Sequence, residues 1–186
     1  MRIISGNFKG KKILNPKDTY TRPLKDLTKE SLFNILQHSN KFKTRIKASK
    51  ILDLFSGVGS FGLECLSREA SYVTFIENYK EVLPILKKNI LDLNCATKST
   101  IVEKDIFKEL NFNIFKKKFE IIFMDPPYKK KLSELLNKIL QAKIITKHGI
   151  IIIHRHKDEK DEFSNFFKIL EEKNYGISKI IFGKFI

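Results

Sequence analysis

From residue 51 onward the chain alternates short apolar runs with longer segments of helical periodicity, and this alternation constrains the fold more than any other feature. "ILDLF" (51–55), "SYVTFIE" (71–77), "STIVEK" (99–104), "FEIIFMD" (119–125) and "GIIIIHR" (149–155) read as strands. Between them "SFGLECLSREA" (60–70), "YKEVLPILKKNILDLN" (79–94) and "KLSELLNKILQA" (131–142) read as helices, whereas "DIFKELNFNIFKKK" (105–118) simply separates the third strand from the fourth. In the second helix Val82, Ile85, Leu86 and Ile90 supply the apolar side, and Pro84 falls near the first turn, where a missing N–H does least harm. Strands separated by helices at this spacing predict an α/β architecture with a mostly parallel, doubly wound sheet. The end departs from that pattern. "FFKILEEKNYGISKIIFGKFI" (166–186) reads as two strands turning at Asn174 to Gly176, an antiparallel hairpin on a sheet edge.

Ahead of this core, residues 1–25 read as an extension and residues 26–186 as the main domain. "RIISGNFKGKKILNP" offers two short strands around Gly6 and Gly10, compatible with a β-hairpin, and Pro16 and Pro23 break any helix there. "KDLTKESLFNILQH" reads as a helix with Leu32, Phe33, Ile35 and Leu36 on its apolar side, followed by a Lys-rich linker, "SNKFKTRIKASK". A chain of 186 residues is long enough for one domain with a substantial core. No uninterrupted apolar run exceeds four residues, as at Ile150 to Ile153, and the N-terminus has no apolar stretch of signal-peptide length. Cys65 and Cys95 lack metal-ligand spacing and imply no disulfide framework. These features predict a cytoplasmic protein without membrane contact. The 36 basic residues against 21 acidic give a net charge of +15, which suits a polyanionic partner, because neutralised phosphates release condensed counterions. Only five of the 36 are Arg, and a Lys-rich bias also follows from gene composition, so charge alone does not decide the partner.

In a doubly wound sheet, ligands collect beyond the carboxyl ends of the strands at the topological switch point. "DLFSGVGSFGLE" (53–64) stands there, matching G-x-G-x-x-G through Gly57, Gly59 and Gly62, with Ser56 in the same turn. Asp53 precedes the glycines, Glu77 ends the second strand beside Asn78, Asp105 follows the third strand beside Ile106, and Asp125 ends the fourth. Four acids on one edge disfavour a dinucleotide, whose phosphates they would repel by about 4 kcal/mol for one close pair near a surface. S-adenosylmethionine carries a sulfonium, an ammonium and ribose hydroxyls but no phosphate. Glycines let the backbone approach it and acids suit its positive charge. A dinucleotide, or a strand–helix turn that holds no ligand, remains the alternative reading of the glycines.

"MDPPY" (124–128) is the more specific signal. Two consecutive prolines fix the turn and leave its carbonyls without competing N–H groups. An exocyclic amine on a nucleobase is a poor nucleophile, because its lone pair is delocalised into the ring. Hydrogen bonds from that amine to the Asp125 carboxylate and the Pro126 carbonyl would localise the lone pair. Pro127 completes the turn, and Tyr128 offers a flat face for stacking, worth roughly 1–3 kcal/mol per base. This is orientation and electrostatics rather than covalent catalysis, on a base first extruded from its stack. The competing reading is a tight turn with no chemistry.

With these motifs the chain resembles, over its whole length, the RsmD family of small-subunit (16S) ribosomal RNA guanine-N2 methyltransferases. Three segments carry the likeness besides Asp125 to Tyr128. They are "MRIISGNFKGKKI", similar to the family's basic N-terminal hairpin; "TRPLKDLTKESLFNIL", similar to its R-P-T…R-E-x-L-F-N segment; and "ILDLFSGVGSFGLECLSREA", similar to its glycine loop. The resemblance implies a Rossmann-like class I methyltransferase of the guanine-966 type, with S-adenosylmethionine as cofactor and small-subunit RNA or the assembling 30S particle as partner. It implies RNA contacts from Arg2, Lys9, Lys11, Lys12 and Arg22; a monomer is expected, though the sequence leaves oligomeric state open, and no metal is needed, since a positively charged sulfur is already a good leaving group. Asp-Pro-Pro-Tyr also fits adenine-N6 enzymes, and a non-catalytic RNA-binding assembly factor with the same fold is the other alternative. Leu24, Leu27 and Thr28 depart from the family pattern. So does His154-Arg155-His156, where the family commonly shows an acid after the fifth strand. Alternation puts both histidines on one face, and with no Cys or acid to complete a metal set they are expected to face solvent or RNA. The basic runs "FKKKF" (115–119) and "YKKK" (128–131) are a solvated face or phosphate contacts, the second beside the catalytic turn.

Overall fold

The computed structural model of the protein describes residues 1–16, 24, 26–127 and 132–186. Seven strands form one sheet in the order β3-β2-β1-β4-β5-β7-β6. They are β1 (Lys50–Leu54), β2 (Tyr72–Ile76), β3 (Ser99–Val102), β4 (Phe119–Met124), β5 (Ile145–His156), β6 (Phe167–Tyr175) and β7 (Ser178–Phe185). The first five pair in parallel, and β7 joins β5 and β6 antiparallel. The strand order reverses between β1 and β4, so the carboxyl ends of these two neighbours flank the switch point. The expected parallel sheet with an antiparallel terminal hairpin is the architecture observed.

Side-chain alternation sorts the core into two layers. On one face Ile51, Val73, Phe75, Ile121, Phe123, Ile150, Ile152, Ile180 and Phe182 pack against α1 (Asp26–His38), α2 (Ser60–Ser67) and α3 (Leu83–Asp92). On the other face Leu52, Leu54, Ile76, Ile122, Met124, Ile151, Ile153 and Ile181 pack against α4 (Leu132–Ala142). By the same period of two, Asp53, Asp125, His154 and Ser178 belong to the α1–α3 face and Arg155 to the α4 face.

The N-terminal segment closes back on itself with Arg2 bridged antiparallel to Lys12, and the amide of Ile3 donates to the Lys11 carbonyl at 2.9 Å. It is docked along α2. The buried Glu64 carboxylate accepts the amides of Ile4 (2.8 Å) and Ser5 (3.0 Å), while Ser67 bonds to Ser5 and Phe8. Ile3, Ile13 and Leu24 are buried in the same cluster as the sheet residues of that face. The linker of 39–49 contributes to this core as well, through Phe42, stacked on Phe182, and Ile46. One span differs from the sequence reading. β5 begins four residues early, at Ile145 rather than Gly149, with an irregular register between Phe119 and Ile121. Residues 103–118 form turns and one short 3-10 segment, Phe112–Ile114.

Candidate active site at the carboxyl edge of the sheet

In the parallel pairing of β1 with β4, Asp53 lies opposite Phe123 and Leu54 opposite Met124. Asp125 therefore follows directly on the rung beyond, on the same face as Asp53. Asp53 is fully buried; its Oδ2 accepts the Gly62 amide at 3.0 Å, and its Oδ1 has no hydrogen-bond partner among the described residues. Burial pushes the Asp53 carboxyl well above the usual carboxylate range; the charges of Asp125 and Glu77 add to that effect, and the Gly62 amide opposes it. A buried acid with an unpaired oxygen, in the field of two further acids, suits a ligand that brings positive charge to it.

The glycine loop between β1 and α2 is shaped by its own residues. Ser56 donates its hydroxyl to the Asp53 carbonyl at 2.6 Å, and its amide bonds the Ile76 carbonyl at 3.0 Å, tying the loop to the end of β2. Gly59 caps α2 at φ 85°, a left-handed conformation that side chains disfavour. Gly62 lets α2 lie against the sheet, since a Cβ there would stand 2.3 Å from the Phe75 ring. Glu77 braces the loop from β2. Its Oε2 accepts the Gly57 amide at 2.7 Å, and its Oε1 accepts the amides of Asn78 and Tyr79, each at 2.9 Å. Asp105 Oδ1 accepts the Phe107 and Lys108 amides, and Asp105 Oδ2 accepts from Asn78 Nδ2 at 3.4 Å. Glu77, Asn78, Asp105, Ile106, Phe107 and Pro127 share one cleft, which joins the β2 and β3 ends to the Asp-Pro-Pro turn.

Thus Asp53, Ser56, Gly57, Gly59, Gly62, Glu77, Asn78, Asp105, Ile106 and Asp125 to Pro127 gather on one edge. Pro126 is buried and Pro127 exposed. Tyr128 and Arg22 lie outside the described residues. Arg2, Lys9, Lys11 and Lys12 are exposed on the docked hairpin.

One expectation is corrected. His154 does not face solvent: it is buried, with Nδ1 2.8 Å from Asp125 Oδ1 and Nε2 3.0 Å from Ser178 Oγ. The cause is register, since Met124 pairs with Ile153 and the next rung sets Asp125 beside His154. His156 is partly buried near Asp158, at 3.4 Å. Arg155 is buried too; its guanidinium reaches Asp161 at 3.0 Å, Glu159 at 3.3 Å and the Pro127 carbonyl at 3.4 Å. None of His154, Arg155 and Ser178 was singled out as a site residue from the sequence. Aligning "FEIIFMD" and "GIIIIHR" by their ends sets Asp125 beside Arg155, one residue away from the observed register, because strand patterns alone do not fix a parallel register.

The family model described as Conserved hypothetical protein 95 matches residues 1–184. The chain is similar to the Ribosomal RNA small subunit methyltransferase D of Haemophilus influenzae, at 31% identity over 183 residues, 95% of this chain and 90% of that one. The protein of the same name from Buchnera aphidicola subsp. Acyrthosiphon pisum is 36% identical over 162 residues, 84% of this chain and 78% of that one. Among solved structures, a candidate methyltransferase from Escherichia coli superposes with a TM-score of 0.80 at 27% identity, covering 98% of this chain and 96% of that one.

Proposed function

We propose that this chain, which belongs to the Conserved hypothetical protein 95 (RsmD) family, methylates the exocyclic N2 of a guanine in small-subunit ribosomal RNA, at the guanine-966 type of site. The observation that carries the reading is the placement of Asp125 and Pro126 directly after β4, next to buried Asp53, in a turn whose Pro127 lines the cleft of Glu77, Asn78 and Asp105. The acids fit S-adenosylmethionine, the cofactor: Asp53, with an oxygen unpartnered among the described residues, would favour its positive charge, and Glu77 and Asp105 of the cleft would accept from its ribose and adenine. When bound, the cofactor would supply an electrophilic methyl on a positively charged sulfur, with the thioether as leaving group as the N–C bond replaces the S–C bond.

The chain's own residues prepare that amine. Asp125 and the Pro126 carbonyl accept its two hydrogens, drawing the lone pair out of conjugation and aiming it along the cleft. As nitrogen becomes positive, the Asp125 carboxylate stabilises the charge and takes the released proton, and Tyr128 stacks on the base. Residues 1–25 serve as the RNA-gripping extension and residues 26–186 as the catalytic domain of a cytoplasmic monomer.

The test is transfer from labelled cofactor to small-subunit particles of methyltransferase-deficient cells, followed by nucleoside analysis. N2-methylguanosine is expected, and Asp125→Ala should lower the single-turnover rate roughly a hundredfold or more. Asp125→Asn, which still accepts one hydrogen bond but lacks the charge, should fall between. Label in N6-methyladenosine, or no label at all, contradicts the proposal.

A further inference from the structure

The polar end of β5 is built into the catalytic turn rather than turned away from it. His154 is buried between Asp125, on the neighbouring parallel strand's exit, and Ser178, at the start of antiparallel β7. Arg155, on the opposite face of the same strand, reaches the Pro127 carbonyl. Consecutive residues of β5 thus hold the side chain at the start of the turn and the backbone two residues on.

We propose that His154 is the positioning residue of Asp125, and that Ser178 sets the tautomer that lets it act. This rests on the reading of Asp125 as the group that receives the guanine amine. An ionised carboxylate only accepts hydrogen bonds, so the hydrogen shared at 2.8 Å belongs to His154 Nδ1. With the ring singly protonated in this way, Nε2 is an acceptor, and the Ser178 hydroxyl donates to it across 3.0 Å. One carboxylate oxygen, Oδ1, is thereby engaged, and Oδ2 is left for the substrate amine. A neutral imidazole orients the acid without cancelling its charge, which Asp125 needs as the amine nitrogen turns positive. A Lys or Arg in the same place would hold the carboxylate equally well but neutralise it.

The histidine's donor, not its bulk, is what the experiment isolates. In single-turnover transfer with cofactor and RNA saturating, His154→Ala should lose about tenfold or more in rate, while both dissociation constants stay within about twofold. His154→Asn, whose amide N–H stands where Nδ1–H does, should recover most of the rate. His154→Gln, whose amide nitrogen overlies Nε2, should not. In wild-type protein with nitrogen-labelled histidine, the His154 resonances should report Nδ1 protonated and Nε2 bare, and Ser178→Ala should erode that preference. A His154→Ala variant that transfers at the wild-type rate, an Asn variant as slow as Ala, or an unprotonated Nδ1 in the wild type would each overturn the assignment. Wild-type protein that methylates no guanine overturns the functional reading instead, and the tautomer measurement then judges the placement of His154 by itself.

Discussion

Asp53 carries more electrostatic tension than any other carboxylate at the site, and the sign of its effect on stability follows from where it sits. It is buried with one oxygen unpartnered among the described residues, and Asp125 and Glu77 are the charged groups that act on it; the buried Cys65 thiol on α2 is also within its field. Its raised pKa means that the folded chain keeps a proton the unfolded chain has already released. Folding stability contributed by Asp53 is therefore greatest in acid and falls as pH rises from the ordinary carboxylate range through the folded pKa. A cationic ligand reverses the preference, because positive charge near Asp53 favours its ionised form. Cofactor binding should thus release a proton, and affinity should rise with pH across the same interval. Asp53→Asn should abolish the proton release, raise the melting temperature of the ligand-free protein near neutral pH and weaken the cofactor about tenfold. Calorimetry in buffers of different ionisation enthalpy reads the proton; release unchanged in the Asn variant would show that Asp53 is not the titrating group. At this scale most of the site was legible in the sequence. Glu77, Asp105 and Asp125 each follow a strand and Asp53 is the one acid within the otherwise apolar "ILDLF", and both placements can be read from hydrophobic pattern alone. His154 was not, because its partner depends on a rung-by-rung alignment of two strands that are distant in sequence.

Among the elements, the N-terminal hairpin differs most from its sequence reading as a simple appendage. Ile3 and Ile13 are buried in the core, Glu64 holds two of the hairpin amides, and the buried Lys29 ammonium donates to the Arg2 carbonyl at 2.8 Å. Burial lowers the pKa of Lys29, and the neighbouring Glu64 charge partly restores it. Cutting the hairpin away would strip apolar cover from α1 and α2, so its role in RNA binding is better probed from the outside. Lys9, Lys11 and Lys12 are exposed, and replacing all three by Gln leaves these buried contacts in place. The triple variant should keep its melting temperature and cofactor affinity but bind RNA with a shallower salt dependence. The slope of log K against log salt should drop by about 0.9 for each duplex phosphate that the variant no longer neutralises. An unchanged slope would show that the hairpin does not grip RNA. The alternation of strands and helices was readable because both layers of the sheet are apolar and the helices amphipathic. The span 103–118 was not, since its phenylalanines follow no helical or strand period: Phe112 is buried, Phe107 packs beside Phe55, and turns join them. The extra length of β5 escaped because Lys147 and His148 are exposed and polar.

For the molecule as a whole, the two layers divide the proposed reaction between them. The hairpin, α1, α2 and the glycine loop pack on the face that carries Asp53, Asp125, His154 and Ser178, while Ile76, Ile106 and Phe107 of the cleft pack in the layer of α4. The chain as a whole carries a net charge of +15, which draws a polyanion, while the buried Asp53 carboxyl, in the field of Asp125 and Glu77, favours a cationic cofactor at the sheet edge. No helix among the described residues is long and apolar enough to cross a membrane. The most direct test of guanine-N2 transfer through Asp125 is a map of methylated guanines in small-subunit ribosomal RNA from cells lacking the gene. One N2-methylguanine should disappear, return when the wild-type gene is supplied, and stay absent when the supplied gene carries Asp125→Ala. A full complement of N2-methylguanines in the cells without the gene, or restoration by Asp125→Ala, would contradict it.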